Sequence, residues 1–189
     1  LLIAVGAGPN YSFRLLDGSQ GTVLTPGTAV SGQLNPGNRT DIYRFSANAG
    51  EQFYFDYQTA SSNYYITWRL IDPYGKVVFG PSRLYSGDVG PVTLSNAGTY
   101  TLLIEGTLDQ TSTNNYTLNI QSLSTNPVPL TLGATVTGGG TAGQRDVYSF
   151  NLATAKQLYF DALTYDSSIT WMLIGPRGTV VSSRSFTAS

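Results

Sequence analysis

Four aspartates are the residues whose type and spacing could do chemistry. Asp41 and Asp56 flank the stretch Asp41-Ile-Tyr-Arg-Phe-Ser-Ala-Asn-Ala-Gly-Glu-Gln-Phe-Tyr-Phe-Asp56, and Asp146 and Asp161 hold the same places in a related stretch 105 positions later. Recurring carboxylates could supply ligands to calcium, which takes about six to eight oxygens. No dense Asp-x-Asp-x-Asp-Gly loop accompanies them. The competing duty is to cap turns by accepting backbone N–H groups, and Asp41 is expected to do so for its own turn. No cofactor is expected, calcium being the one ion for which ligands are in sight.

Tyrosines are the second resource. Tyr54 and its counterpart Tyr159 fall in the outward phase of their segments, and Tyr64, Tyr65, Tyr74 and Tyr85 lie nearby in sequence. Exposed phenols stack on sugar rings or bury in protein interfaces; the ordinary alternative is a half-covered sheet face or packing against an adjacent repeat. Catalysis lacks its usual parts. With no His and no Cys, a serine nucleophile would need a lysine or carboxylate base, and neither Lys76 nor Lys156, the only lysines, sits in a Ser-x-x-Lys arrangement. The chain is therefore not read as an enzyme.

Composition narrows the partners. Charged residues make up 11% of the 189, against about 25% in an average soluble protein, and the net charge is −1. Without a basic cluster there is no electrostatic footprint for nucleic acid or an anionic membrane. No apolar run reaches the length of a membrane span, and Leu1 to Val5 is too short for a signal peptide. Abundant Gly, Ser, Thr and Tyr is the palette of extracellular all-β proteins.

Period-two alternation then defines the elements that must position these groups. Tyr43 and Phe45 share one phase, Phe53, Phe55 and Tyr57 the next, joined by a turn at Asn48-Ala-Gly-Glu51, which reads as a hairpin with an aromatic inner face. Ile66, Trp68 and Leu70 point inward, matched by Ile169, Trp171 and Leu173, as do Tyr100, Leu102 and Ile104, and Tyr116, Leu118 and Ile120. Asp72-Pro-Tyr-Gly75 suits a type I turn, and residues 80–90 read as a loop. From Val30 this gives about eight strands, an all-β antiparallel sandwich of jelly-roll kind, in tandem repeats. The expected division is 1–17, the last two strands of a preceding repeat or donated strands; 18–27, a linker; 28–123, a complete repeat; 124–132, a linker stiffened by Pro127 and Pro129; and 133–189, an incomplete second repeat.

The motifs, taken together, resemble a family. Gly32 to Gly37 (Gly-x-Leu-x-Pro-Gly), Asp41 to Phe45 (Asp-x-Tyr-x-Phe), Ala49 to Phe53 (Ala-Gly-x-x-Phe), the Asp72 to Gly75 turn, Gly98 to Leu102 (Gly-Thr-Tyr-x-Leu) and Tyr116 to Ile120 (Tyr-x-Leu-x-Ile) follow the order of the bacterial pre-peptidase C-terminal domain. The resemblance covers the central repeat and the first two thirds of the second. It implies a secreted, non-catalytic β-sandwich, appended to extracellular proteases or strung through large bacterial surface and adhesin-like proteins. Its partners would be neighbouring repeats or other copies of the chain, or a glycan or matrix protein. Relatives in collagenases bind collagen and calcium, but their acidic ligand segment has no obvious counterpart here, and Gly175 stands where the first repeat has Asp72.

The ends are complementary. Residues 1–17 resemble the Tyr100 and Tyr116 strands, and the second repeat reaches Ser189 before its own copies of them. Two expectations follow: a window from a longer tandem array, or strands donated from one molecule to the next, building a fibre.

Overall fold

Alternation of apolar and polar side chains is realised as strands through most of the chain to Leu123. The structure, a computed structural model, describes residues 12–61, 65–123, 127–140 and 144–187. It divides into two units, Leu1–Ser149 and Phe150–Ser189. In the first lie β1 (Thr22–Val23), β2 (Val30–Leu34), β3 (Thr40–Ala47), β4 (Gln52–Ala60), β5 (Ile66–Ile71), β6 (Val77–Arg83), β7 (Val89–Thr93), β8 (Gly98–Gly106) and β9 (Asn114–Leu123). They form a five-stranded sheet of order β1-β3-β8-β5-β6 and a four-stranded sheet of order β2-β9-β4-β7. Leaving β1 aside, eight strands run from Val30 as expected, and these two orders are those of a jelly roll. The middle of each sheet comes late in the chain: β8 lies between β3 and β5, β9 between β2 and β4.

The inner faces of these strands are the predicted ones, but β3 and β4 are not a hairpin: the turn at Asn48–Glu51 carries the chain from one sheet to the other, so their aromatic side chains face each other across the core. Phe45, Phe53, Phe55, Ile66, Trp68, Leu70, Tyr100, Leu102 and Ile104 are buried in one cluster with Tyr116, Leu118 and Ile120. Trp68 is fully buried and meets Phe55 and Phe79 edge-on, with ring centroids 6.4 and 5.8 Å away. Tyr43 on β3 and Tyr116 on β9 join the two sheets, their hydroxyls 2.7 Å apart, and Tyr116 donates in turn to Asp41 Oδ2. Asp41 thus serves an inter-sheet bond, where a turn-capping duty was expected. Gly32, opposite Tyr116 in the register, leaves the room this ring needs: a Cβ there would lie 2.2 Å from the phenol oxygen.

Turns behave as their residues dictate. The Asp72 carboxylate accepts from the N–H groups of Tyr74 and Lys76 and from the Asn96 amide, while Gly75 N–H closes the turn on Asp72 O with Gly75 at φ +84°. Backbone donation, first from Lys76, holds the Asp72 carboxyl below its usual range.

Two stretches of this unit differ from expectation. Residues 18–27, read as a linker, hold a one-turn 3-10 helix at Gly18–Gln20, strand β1, which pairs parallel with β3, and Leu24, which joins the core. Two strand residues are too few for any periodicity to announce. Residues 80–90, read as a loop, carry the end of β6, a one-turn helix Leu84–Ser86 and the start of β7; Leu84 is fully buried. Of the 1–17 segment, residues 12–17 have no regular secondary structure and the remainder lies outside the described residues.

The β1–β3 contact recurs. β10 (Val128–Pro129) pairs parallel with β11 (Tyr148–Ser149) as Thr22–Val23 does with Tyr43–Arg44. Leu130 N–H donates to Ser149 O at 2.7 Å as Leu24 N–H does to Arg44 O, and Gly133 (φ +84°) matches Gly27 (φ +88°). In the second unit, β12 (Asp166–Gly175) and β13 (Gly178–Phe186) form a hairpin. Here the predicted inward triad is corrected: Ile169 is exposed, Trp171 and Leu173 are only half-buried, and no described residue of this unit is buried. The side-chain pattern is that of β5, but the described part of the unit contains no second sheet to face it. Trp171 instead stacks flat on Phe160 at 4.0 Å, where the corresponding Trp68 and Phe55 meet edge-on.

Candidate functional site on the outer face of the four-stranded sheet

The outward phase of β2, β9 and β4 is polar almost throughout, and the strand register sets its residues in rows. Ser31 faces Thr117 with their hydroxyls 2.9 Å apart, and Gln33 donates to Asn115 at 2.8 Å. Across β4 and β9, Asp56 faces Asn119 and Tyr54 faces Gln121, while Gln52 donates to Thr93 of β7 and accepts from Arg145. Amides, hydroxyls, one phenol and two carboxylates therefore share a sheet face suited to hydrogen-bonding a polar ligand.

Tyr54 stands at the centre of the charged part. Its hydroxyl donates to Asp88 Oδ2 at 2.9 Å, and Asp88 Oδ1 accepts from Tyr57 N–H at 2.9 Å. Burial, then the Asp88 hydrogen bond and the nearby carboxylate charges, push the Tyr54 phenol up to about 12. A neutral, oriented phenol is what remains at any ordinary pH.

Beside it Asp56 is only 3% exposed although it lies in the outward phase. Gln58 donates to it at 3.0 Å, yet burial, with a smaller contribution from the like charge of Asp88, holds its carboxyl above the usual carboxylate range. A carboxyl raised in this way binds its proton more readily in the folded chain. Ionisation therefore costs stability above the folded pKa, and the cost vanishes as pH falls through that value to below the unfolded 3.8. Asp56→Asn is accordingly expected to raise the denaturation midpoint at neutral pH, with the advantage shrinking as pH approaches 3.8. A lowered midpoint in guanidinium titrations would instead show that the ionised carboxylate is needed.

The other sequence candidates are dispersed. Asp41 is committed to Tyr116. Asp146 accepts from Gln144, and Asp161 is exposed outside any strand. The four aspartates thus occupy different elements, and among the described residues no group of three or more acidic side chains could hold a metal ion. Tyr74 is exposed at the β5–β6 turn, Tyr65 is exposed at the start of β5, Tyr85 is half-buried in the Leu84–Ser86 turn and Tyr159 is exposed in the second unit. Tyr64 lies outside the described residues. Of the tyrosines, Tyr54 belongs to the polar face.

Asp88 and Asn119 escaped sequence reasoning. Asn119 was legible as an outward residue between Leu118 and Ile120, but not that it would be buried with its Oδ1 unpaired. Asp88, one residue before a strand, gave no pattern at all.

No family profile matches the chain, and no curated protein matches it. Among solved structures it is similar to PliG of Salmonella Typhimurium, a periplasmic lysozyme inhibitor of g-type lysozyme, at 20% identity over 54% of this chain and 97% of that one, with a TM-score of 0.38. It is also similar to the pre-peptidase C-terminal domain of collagenase from Bacillus anthracis, at 16% identity over 54% and 95% of the two chains, with a TM-score of 0.39. A mutant of PliG from Escherichia coli aligns at 20% identity over 54% and 98%, with a TM-score of 0.39. These likenesses span about half of the chain and are too distant to assign it a ligand, partner or activity.

Proposed function

We propose that this chain is a non-catalytic, structural or adhesive β-sandwich module, used in tandem in a bacterial extracellular or cell-surface protein of the pre-peptidase C-terminal type. The observation that carries the reading is the recurrence of the parallel β1–β3 contact at β10–β11, with the same register, the same closing hydrogen bond and the same positive-φ glycine. An entry geometry rebuilt about a hundred residues on supports a second start of the same unit. Low charge and a core closed without disulfides suit a module that presents sheet faces outside the cell.

A second reading is favoured by the polar face. Tyr54, with the amides of β9 around it, would serve a carbohydrate- or matrix-binding accessory domain of a secreted hydrolase or protease.

One experiment separates them. The whole chain and its Tyr54→Ala variant are applied to an array of oligosaccharides and fibrillar collagen, alongside limited proteolysis. The module reading expects no binding that depends on Tyr54 and a protease-resistant core spanning β1 to β9. Reproducible binding lost in Tyr54→Ala would replace it with the second reading, and ready cleavage inside the sandwich would end it.

A further inference from the structure

Two buried side chains on the outer face of the four-stranded sheet have hydrogen bonding that does not close. Asp56 on β4 stands directly opposite Asn119 on β9, so both point to the same side of the sheet with Cβ atoms about 4.5–5.5 Å apart. Asp56 is 3% and Asn119 8% exposed. Gln58 donates to Asp56 Oδ2, the one hydrogen bond this carboxyl receives among the described residues. Asn119 Oδ1 is buried and receives none. With Asp56 ionised, a carboxylate and an amide oxygen would face each other away from water, each an acceptor in want of a donor.

Two other carboxylates of the sandwich are better served. Asp72, also buried, accepts from two backbone N–H groups and the Asn96 amide, and Asp88 accepts from Tyr54 O–H and Tyr57 N–H. Asp56 has one neutral amide as donor, and the like charge of Asp88 opposes its ionisation. Cationic relief is remote. β2, β4, β7 and β9 contain no Lys or Arg, and Arg145 is engaged at Gln52, two outward positions back along β4. Tyr54, the titratable neighbour on the same strand, already gives its proton to Asp88.

A proton on Asp56 supplies the missing donor. We propose that Asp56 is a proton-operated clasp between β4 and β9: protonated, its O–H donates to Asn119 Oδ1, and ionised, it gives up that bond and turns out into solvent beside Asp88. The clasp is closed at low pH and lets go as pH rises through the midpoint of Asp56 in the folded chain, which burial holds above 3.8. The outer face therefore has a closed state that offers the carboxylate of Asp88 and an open state that offers two. It works whether or not the face binds a ligand.

Carboxyl 13C NMR on the full chain reads the Asp56 midpoint directly. The midpoint is expected above 3.8. In Asn119→Leu, which keeps the apolar cover and removes the acceptor, the proton affinity of Asp56 should fall about three- to tenfold. Burial acting alone would leave it unchanged or raise it. Amide hydrogen exchange along residues 54–58 and 117–121, corrected for its intrinsic pH dependence, reads the conformational change. Protection should drop across the midpoint in the unmodified chain and stay level in Asp56→Asn, whose amide donates to Asn119 Oδ1 at every pH. Three results would overturn the proposal: a midpoint at or below 3.8, as when the Asn119 amide donates to a carboxylate; no fall in Asn119→Leu; or protection that ignores pH or changes alike in both chains. The titration of the unmodified chain and the exchange comparison use no Asn119 variant, so misfolding of Asn119→Leu cannot decide the result.

Discussion

Trp68→Ala is expected to cost about 3–5 kcal/mol of folding stability, a large share of what a domain of this size possesses. The ring is fully buried between Phe55 and Phe79, and removing it leaves a cavity that two rigid aromatics cannot collapse into. Trp68→Phe should cost a small part of this, for two reasons. Most of the ring contact survives, and the indole N–H, buried without a hydrogen-bond partner, is removed along with its desolvation penalty. Guanidinium denaturation of the two variants checks both, and a loss below about 1 kcal/mol for the alanine variant would show that this ring does not anchor the core.

Gly106→Ala should be comparably damaging through a different mechanism. A Cβ at Gly106 would lie 1.6 Å from the carbonyl oxygen of Gly37, at the crossing where Gly106 N–H also donates to Arg39 O. Backbone atoms have no rotamer with which to retreat, so the cost is expected at or above the upper end of the usual overpacking range, about 3 kcal/mol. Gly18→Ala is the matched control. Nothing lies within 4 Å of a Cβ there, and its effect should stay within about 0.5 kcal/mol. Equal effects at the two glycines would refute the steric account.

The contrast between Trp68 and Trp171 marks what could be read from sequence and what could not. Alternation names which side of a strand is apolar, and for Tyr43, Phe45, Phe53, Phe55 and the β8 and β9 triads that side is the core. The same alternation at Ile169, Trp171 and Leu173 yields no buried face, because burial needs an opposing sheet and that is a property of the topology. The jelly-roll class followed from strand count and spacing. The order of strands within each sheet did not, since hydrogen-bonded neighbours such as β2 and β9 are separated by most of the unit.

The candidate face was legible in part. Tyr54 was visible as outward, and the polar members of β9 were visible between its apolar ones. Nothing local revealed that Asp88 would come to Tyr54, because a side-chain bond across 34 positions leaves no periodic trace. Nor could the burial of Asp56 and Asn119 be inferred, since outward phase normally means solvent.

The late placement of the central strands has a consequence for how the protein is made. As the chain is synthesised from its N-terminus, β2, β3, β4 and β5 appear first, yet none of β3, β5, β2 or β4 has its inner neighbour until Gly98 to Leu123 has been added. Neither sheet can close from its early half, so the sandwich forms in one step near the end of its own sequence, at the slow pace of long-range pairing, on the order of milliseconds to seconds. A segment whose sheets cannot close until its last strands are made stays open through most of its own synthesis, so a chain cut anywhere before Gly98 lacks the middle strand of one sheet, β8, and a central strand of the other, β9.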